Sequence, residues 1–271
     1  GGPLAAELPC VAGARAWERR IKLSLANAFV QGGSPRGALG VLDGLLEELR
    51  SAAAAGDARA LAGRAELFSR AGRVFLQIGN LKDAKKVFKK AEAENEKISE
   101  PEHKMTSQIL LNSGLIALTE NEFDNAMQDF EAVMNLERAA RARESLNPEA
   151  EGALLPGGGA RAGCNSRTEE EEDPALGLGR DPGILAAAAT DHAAAALYAC
   201  GLAPAIAKLE ELVREDPARN LGDAAVFTLG TLYDLHSDNR AAQRRKRTLE
   251  RVARRYQLDD LAPAAFRLSA P

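Results

Sequence analysis

The chain has 271 residues, enough to bury a substantial core or to build about five helical hairpins of the repeat kind. Hydrophobic residues make up 45% of it but aromatic residues only 4%, so close helix packing is favoured over β-structure. The net charge is −4 with both signs interspersed, which gives no overall electrostatic case for binding nucleic acid or an anionic membrane.

The first predicted element is a helix that begins at Ala14, after a frayed end over residues 1–13. Residues 32–35 make the turn that follows, and Pro35 is acceptable in the first turn of the second helix. Together they form a first hairpin over roughly 19–50, and residues 52–65 either extend it or link it to the next. The apolar residues that define this hairpin are Leu25, Ala26, Phe29, Ala38, Leu42 and Leu45.

Residues 65–91 are predicted to form the two helices of a second hairpin, joined by a tight turn. Gly79 suits the left-handed residue that ends the first helix. Asn80 is a good N-cap for the second helix, and Asp83 three residues on completes a capping-box-like pair. Small residues at positions 72 and 84 allow the two helices to approach closely. The apolar stripe comprises Phe68, Ala71, Gly72, Phe75, Leu81, Ala84, Phe88 and Ala91.

This order of large, small and aromatic residues is typical of the tetratricopeptide repeat, a helical hairpin of about 34 residues that packs on copies of itself. A copy follows 42 residues later, over residues 107–140. The matched pairs are Gly72 with Gly114, Leu81 with Phe123, Ala84 with Ala126 and Phe88 with Phe130. The N-cap is expected to recur as Asn121 with Asp124.

Residues 141–183 break the pattern, because they are rich in Gly and Pro and carry an acidic run at 169–173. This composition predicts a disordered insertion between repeats. A fourth hairpin resumes near Ala186 and ends at Pro217. The fifth hairpin has its signature on the first helix, at Val226, Leu229, Gly230 and Tyr233. Its second helix departs from the pattern, as terminal repeats often do.

The predicted fold class is therefore all-α, a tetratricopeptide-type α-solenoid of about five helical hairpins with a disordered insertion. The predicted organisation is a frayed N-terminus at 1–13, repeats one to three at 14–140, the insertion at 141–183, and repeats four and five with a C-terminal cap at 184–271. The most apolar run, residues 184–207, is interrupted by charge and proline and is a poor membrane span.

No nucleophile, base and orienting group come together in the sequence, so an enzyme is not predicted. His103, His192 and His236 stand alone in different hairpins and are expected to be solvated or packed. Residues 158–163 lack the Lys and Ser/Thr of a phosphate loop. The three cysteines, Cys10, Cys164 and Cys200, are far apart and have no CxxC spacing. They therefore predict neither a zinc site nor a disulfide framework, and they fit a reducing compartment. No catalytic, cofactor or metal site is predicted.

Three features allow a functional and a structural interpretation. Residues 244–247 could form a nuclear-import or RNA patch, but no aromatic residues interleave them, so a charged helix face is favoured. The acidic run at 169–173 could bind a basic partner, although a solvated loop is the default. Trp17 is expected to make a core or capping contact rather than to be a partner hot spot.

Repeat hairpins bind peptides or protein surfaces, so the residues by themselves indicate a protein–protein interaction scaffold. Beyond this, the chain resembles the C-terminal repeat region of the subunit 12 family of the trafficking protein particle (TRAPP) complex. The segments that carry the resemblance are SRAGRVFLQIGNLKDAKKVF at 69–88, ILLNSGLIALTENEFDNAMQDF at 109–130, AIAKLEELVREDP at 205–217 and VFTLGTLYDL at 226–235.

The resemblance implies a non-enzymatic subunit of a vesicle-tethering complex. That complex acts as an exchange factor on Rab1-type GTPases, in ER-to-Golgi transport and autophagy. It implies other TRAPP subunits as partners, with neither nucleic acid nor a small-molecule substrate. It also implies a cytoplasmic protein peripheral to ER–Golgi membranes, associated with them only through the complex.

Three alternatives remain open. One is a chaperone adaptor that grips a C-terminal carboxylate, although the clamp positions here correspond to Leu23 and Asn27, so the expected cation is missing. Another is a regulatory domain of a larger enzyme. The last is an unrelated repeat adaptor in another multiprotein assembly.

Overall fold

The structure is a computed structural model that describes residues 9–146, 183–199 and 201–268. Among these residues there are twelve α-helices, two short 3₁₀ turns and no strand. The helices form two compact units, the first built mainly on residues up to Met105, the second on Thr106–Ala140 and the described residues from 183 onward.

The first unit contains two hairpins, and local sequence fixes where their helices begin and end. Pro35 occupies the first turn of its helix, as predicted. Asp57 caps the longest helix of this unit's second hairpin by accepting hydrogen bonds from the amides of Arg59 and Ala60, at 2.9 and 3.3 Å. The helices are α1 (Pro9–Gln31), α2 (Pro35–Glu48), α3 (Arg50–Ala54), α4 (Ala58–Gln77) and α5 (Leu81–Glu96), followed by a 3₁₀ turn at Pro101–His103.

The second unit contains three hairpins around one hydrophobic core that extends from Leu111 to Phe266. Its helices are α6 (Thr106–Thr119), α7 (Phe123–Leu146), α8 (Ile184–Ala199), α9 (Leu202–Glu215), α10 (Pro217–Asn220), α11 (Asp223–His236) and α12 (Asn239–Arg255), with a 3₁₀ turn at Pro263–Phe266. The signature residues Val226, Leu229, Gly230 and Tyr233 are all buried, as predicted.

Glycine allows close helix–helix approaches in two hairpins. A Cβ atom added to Gly72 would lie 2.5 Å from Cδ1 of Phe88 and closer still to Cε1, so the ring packs directly on the α4 backbone. The same contact recurs in the next hairpin, where a Cβ on Gly114 would lie 2.6 Å from Cε1 of Phe130. Ala84 and Ala126 are fully buried. The predicted small-residue contacts are therefore present in both hairpins.

The turn between α4 and α5 has the predicted chemistry. Gly79 has φ +77°, in the left-handed region that favours glycine. The Asn80 side chain accepts a hydrogen bond from the Asp83 amide at 3.2 Å, and its own amide group donates to the Asp83 carboxylate at 2.8 Å. This pair fixes the start of α5.

The predicted cap of the next hairpin, Asn121 with Asp124, is wrong by one residue. Asn121 has φ +63° and so takes the left-handed place of Gly79. The cap position belongs to Glu122, whose carboxylate accepts a hydrogen bond from the Asn125 side chain at 3.0 Å. The amide–carboxylate pair is thus retained with the two residue types exchanged. Asn suits both an N-cap and a left-handed residue, which is why the sequence pattern did not separate the two.

Several other boundaries differ from those predicted. Helix α1 begins at Pro9 rather than Ala14, because proline suits the start of a helix. Helix α4 begins at Ala58 rather than near 65, because Asp57 caps it there. Helix α7 continues to Leu146, so the predicted insertion does not begin at 141. The predicted disorder of residues 147–182 lies outside the described residues, as do residues 1–8 of the predicted frayed end.

Candidate functional site

A groove of about 360 Å³ lies between the two hairpins of the first unit. It lies where α1 and α2 meet α4. Its lining comprises Ala26, Asn27, Val30, Gln31, Ala38, Leu42, Arg70, Arg73, Val74 and Gln77.

The floor of the groove is apolar and belongs to the core of the unit. Ala38, Leu42 and Val74 are all buried, and they belong to one cluster with Ala26 of α1. The small side chains at 26 and 38 leave the space that larger residues would fill. A ligand segment placed here would therefore bury apolar atoms against a preformed surface.

The rim is polar and rich in hydrogen-bond donors. Asn27 and Gln31 are four residues apart and so share one face of α1. Arg70, Arg73 and Gln77 follow the same rule on α4, at spacings of three and four. Side-chain amides and two guanidinium groups thus face each other across the apolar floor.

Arg70 is held in place by a buried carboxylate. Glu66, one turn earlier on α4, is 1% exposed, and its Oε1 accepts hydrogen bonds from Nε and Nη2 of Arg70 at 2.9 and 2.6 Å. A buried carboxylate needs such a partner, since an unpaired charge there would be costly. The pairing limits the rotamers of Arg70 and so orders that side of the groove.

This arrangement suits the recognition of a polypeptide segment. Amide and guanidinium donors match the carbonyl and carboxylate oxygens of a polypeptide, and arginine binds carboxylates through two parallel hydrogen bonds. Within the described part of the chain, no group of three or more His, Cys, Asp or Glu side chains is placed to hold a metal ion.

The structure does not assemble the three histidines into a site. His103 Nε2 lies 3.9 Å from Glu100, and His236 Nδ1 lies 3.2 Å from the Ser237 hydroxyl. His192 is half-buried, and its buried Nδ1 has no hydrogen-bond partner among the described residues. Residues 158–163 and 169–173, with Cys164 and Cys200, lie outside the described residues, and the Cys10 side chain is not described.

Burial is the main cause that lowers the pKa of His192. The neighbouring Lys208 lowers it further, whereas Glu131 opposes the shift. Lys208 and Glu131 pair with each other at 3.0 Å, and this ion pair lowers the pKa of Glu131. The half-buried imidazole thus lies beside an ion pair, and its surroundings favour the neutral form over the charged one.

Trp17 is predicted to make a core or capping contact, and the core contact is wrong. Its side chain is 65% exposed, with the Arg20 guanidinium 5.2 Å from the ring centre. The stripe of α1 that enters the core contains Leu23 and Ala26, and the predicted stripe residue Leu25 is exposed instead. Trp17 lies on the Leu25 side, two turns earlier, so it faces away from the core.

Sequence reasoning named Asn27 but missed the arginines of the groove. Leu23, the position at which the carboxylate-clamp alternative needs a cation, is in the core. The guanidinium groups that border the groove come from α4 instead, on Arg70 and Arg73. Their spacing with Gln77 marks one helix face, but only the packed neighbour α1 shows that this face borders a groove.

None of the described helices is both long enough and apolar enough to span a membrane.

Comparison with known proteins agrees with the repeat architecture. Residues 107–139 match the tetratricopeptide repeat family. The human trafficking protein particle complex subunit 12 is 26% identical over 188 residues, which is 69% of this chain and 19% of the human protein. The mouse protein is 26% identical over the same length, 18% of its own chain. This chain therefore spans about a fifth of the length of these relatives.

A solved structure shows the same fold. It is a substituted form of a Podosopora anserina kinesin light chain protein with nearly identical TPR-like repeats. The two chains superpose with a TM-score of 0.50 at 14% identity, over 90% of this chain and 98% of the other. The predicted all-α, tetratricopeptide-type α-solenoid class is thus confirmed, and the repeats indicate a protein–protein interaction scaffold.

Proposed function

We propose that the chain is a non-enzymatic scaffold of the TRAPP vesicle-tethering complex, and that it acts in ER-to-Golgi transport and autophagy. The support is the 26% identity to subunit 12 over 188 residues together with the repeat fold. In this role the chain is cytoplasmic and peripheral to ER–Golgi membranes. It contacts other TRAPP subunits and approaches the membrane only through them.

The groove of the first unit is the observation that carries the scaffold role. Its apolar floor and donor-rich rim match an extended protein segment that presents carbonyl or carboxylate oxygens. The amides Asn27, Gln31 and Gln77 would donate to that segment's backbone. Arg70, whose Nε and one Nη2 hydrogen bond are held by Glu66, would donate its remaining N–H groups to the segment's carbonyl or carboxylate oxygens, beside Arg73.

The test is quantitative co-purification from cells. The tagged chain is expressed, captured and analysed by mass spectrometry against a tag-only control. Enrichment of other TRAPP subunits is the expected result. If none of them is enriched above the control, the TRAPP assignment is wrong.

A second variant tests the groove separately. Asn27→Asp, Gln31→Glu and Gln77→Glu keep side-chain shape while replacing donors by negative charge, and all three positions are exposed. The matched control makes the same kind of change at exposed positions of the second unit, namely Gln128→Glu, Asn135→Asp and Asn239→Asp. The groove variant should lose TRAPP subunits that the control retains. Equal recovery by both variants would show that the groove is not the contact.

The guanidinium groups also support a second candidate, a chaperone adaptor that binds an acidic C-terminal peptide. Leu23 argues against it, because that clamp position is apolar and buried. Titration with an acidic C-terminal peptide and its amidated form separates the two functions. Only the adaptor requires a preference for the free carboxylate.

A further inference from the structure

A row of arginines runs along the exposed face of α12, in the second unit. Its members are Arg240, Arg244, Arg247, Arg251 and Arg254, and all of them are exposed. We propose that this arginine row binds an acidic α-helix of a partner protein, one whose carboxylates recur at alternating spacings of four and three. This surface is independent of the groove in the first unit.

The spacing makes the row straight. Steps of 4, 3, 4 and 3 residues keep the five side chains within an arc of about 80° on the helix and spread them over about 21 Å. The same steps separate carboxylates on one face of a second helix laid alongside. Each guanidinium would then face a carboxylate, as in the flanking salt bridges of paired helices.

The fold fixes which face of α12 is outward. The opposite face carries Ala242, Lys246, Leu249 and Ala253, which are all buried. The Lys246 ammonium pairs with Asp234 of α11 at 2.5 Å, so the one cation on that side is neutralised internally. The predicted charged face at 244–247 is therefore confirmed for its arginines and wrong for Lys246.

Within the described part of the chain, the row has few carboxylate partners. Helix α12 contains eight cationic residues and one carboxylate, Glu250. Among the described residues, the carboxylate that pairs with the row is that of Glu250, whose Oε1 lies 2.6 Å from Nη2 of Arg254. By contrast, α5 contains five lysines and four acidic residues. The excess positive charge on α12 attracts an external anion. Because the cations of the row are arginines and not lysines, they can bind planar carboxylates through two parallel hydrogen bonds.

A protein helix fits this surface better than a membrane or a nucleic acid. A helix that lies on a bilayer inserts its apolar face, but that face of α12 is buried in the core. Single-stranded nucleic acid needs aromatic residues on which bases stack, and no aromatic residue interrupts the row. The net charge of −4 is opposite to the basic character of most nucleic-acid-binding domains.

The test uses the full chain and two labelled helical peptides of equal composition, each about 20 residues long to span the row. One peptide places Glu at alternating spacings of four and three, and the other distributes the same Glu residues around the helix. Binding is measured by fluorescence anisotropy. The aligned peptide should bind about tenfold more tightly than the distributed one, because each aligned ion pair adds a small increment.

The matched variants remove four exposed cations each. Arg240→Gln, Arg244→Gln, Arg247→Gln and Arg251→Gln should abolish the preference for the aligned peptide. Lys82→Gln, Lys86→Gln, Lys89→Gln and Lys90→Gln on α5 change the net charge equally and should keep the preference within about twofold. Charge reversal of the same four arginines to Glu should create binding to a peptide with Lys in the aligned positions. Circular dichroism checks that each variant is folded.

Three results would overturn the proposal. One is equal binding of the aligned and distributed peptides. Another is an α12 variant that keeps the preference. The third is tighter, arginine-dependent binding to phosphatidylserine vesicles or to duplex RNA than to the aligned peptide, which would assign the row to lipid or nucleic acid.

Discussion

Replacing three equivalent glycines by alanine should change stability with opposite signs. Gly72→Ala places a Cβ 2.5 Å or less from the Phe88 ring, and Gly114→Ala places one 2.6 Å from Phe130. The equivalent atom in Gly230→Ala has Lys246 Cε at 3.7 Å as its nearest neighbour, an ordinary contact distance. Two substitutions should therefore destabilise the protein and the third should stabilise it.

The magnitudes follow from two opposing terms. Overpacking a filled core costs about 1–3 kcal/mol. Replacing a helical glycine by alanine gains about 0.5–1 kcal/mol in helix propensity. With the middle of each range, the free energy of unfolding should thus fall by about 1 kcal/mol at Gly72 and Gly114. At Gly230 only the propensity gain remains, so it should rise by about 0.5–1 kcal/mol.

The assay is urea unfolding followed by far-UV circular dichroism, with the slope of the transition as a check that the same surface unfolds. A double-mutant cycle with Phe88→Leu localises the effect, because a smaller side chain should absorb most of the Gly72→Ala penalty. If Gly230→Ala destabilised the protein as much as Gly72→Ala, ring contact would not be the cause. Wild-type stability of Gly72→Ala would refute the close approach itself.

Three further changes test other contacts. In urea titration, Ala84→Arg should lower the free energy of unfolding by at least about 3 kcal/mol, because the site is fully buried. The control Ala93→Arg, on the exposed side of α5, should change it by no more than about 0.5 kcal/mol. Asp234→Ala should lower the free energy of unfolding by about 1–2 kcal/mol, because it leaves the buried Lys246 ammonium unpaired. Adding Lys246→Met should recover most of that stability. If the double variant recovers none, the ion pair is not the cause of the loss. Because burial lowers the pKa of His192, the unfolded chain binds its proton at higher pH than the folded one, so stability should decline as pH falls below about 6.5. His192→Gln should flatten that decline in urea titrations between about pH 7 and pH 5, and an unchanged slope would exclude this histidine as its source.

The sequence predicted those parts of the fold in which one residue type has one structural use. Glycine opposite phenylalanine identifies a close helix contact, so Gly72 and Gly114 were placed correctly. Asn121 was misplaced because asparagine serves in two neighbouring positions of the same turn. Ambiguity of that kind moves a boundary by one residue without changing the fold.

The groove and the fate of Trp17 depend on which helix lies beside which. Arg70 and Arg73 form a polar stripe that a sequence could assign to open solvent. Packing of the first hairpin against α4 turns that stripe into one wall of a concave surface. Trp17 shows the reverse case, because aromatic character predicts burial but α1 turns it outward. Helix packing decides whether the arginines border a groove and whether Trp17 is buried. The amino-acid composition does not say which helix lies beside which.

One rule unites all five hairpins and accounts for the buried lysine. In each, a small residue on the first helix is followed 16 residues later by a large one on the second; the pairs are Ala26–Leu42, Gly72–Phe88, Gly114–Phe130, Ala193–Leu209 and Gly230–Lys246. Every member of these pairs is buried. Alanine is matched with leucine, and glycine with a longer side chain, so the combined volume stays nearly constant, as close packing requires. Lys246 obeys the rule because its aliphatic stem fills the space beside Gly230 while its ammonium reaches Asp234. The repeat is therefore defined by the combined volume of the two paired side chains in each hairpin. A lysine can occupy the large position when a carboxylate pairs with its ammonium group.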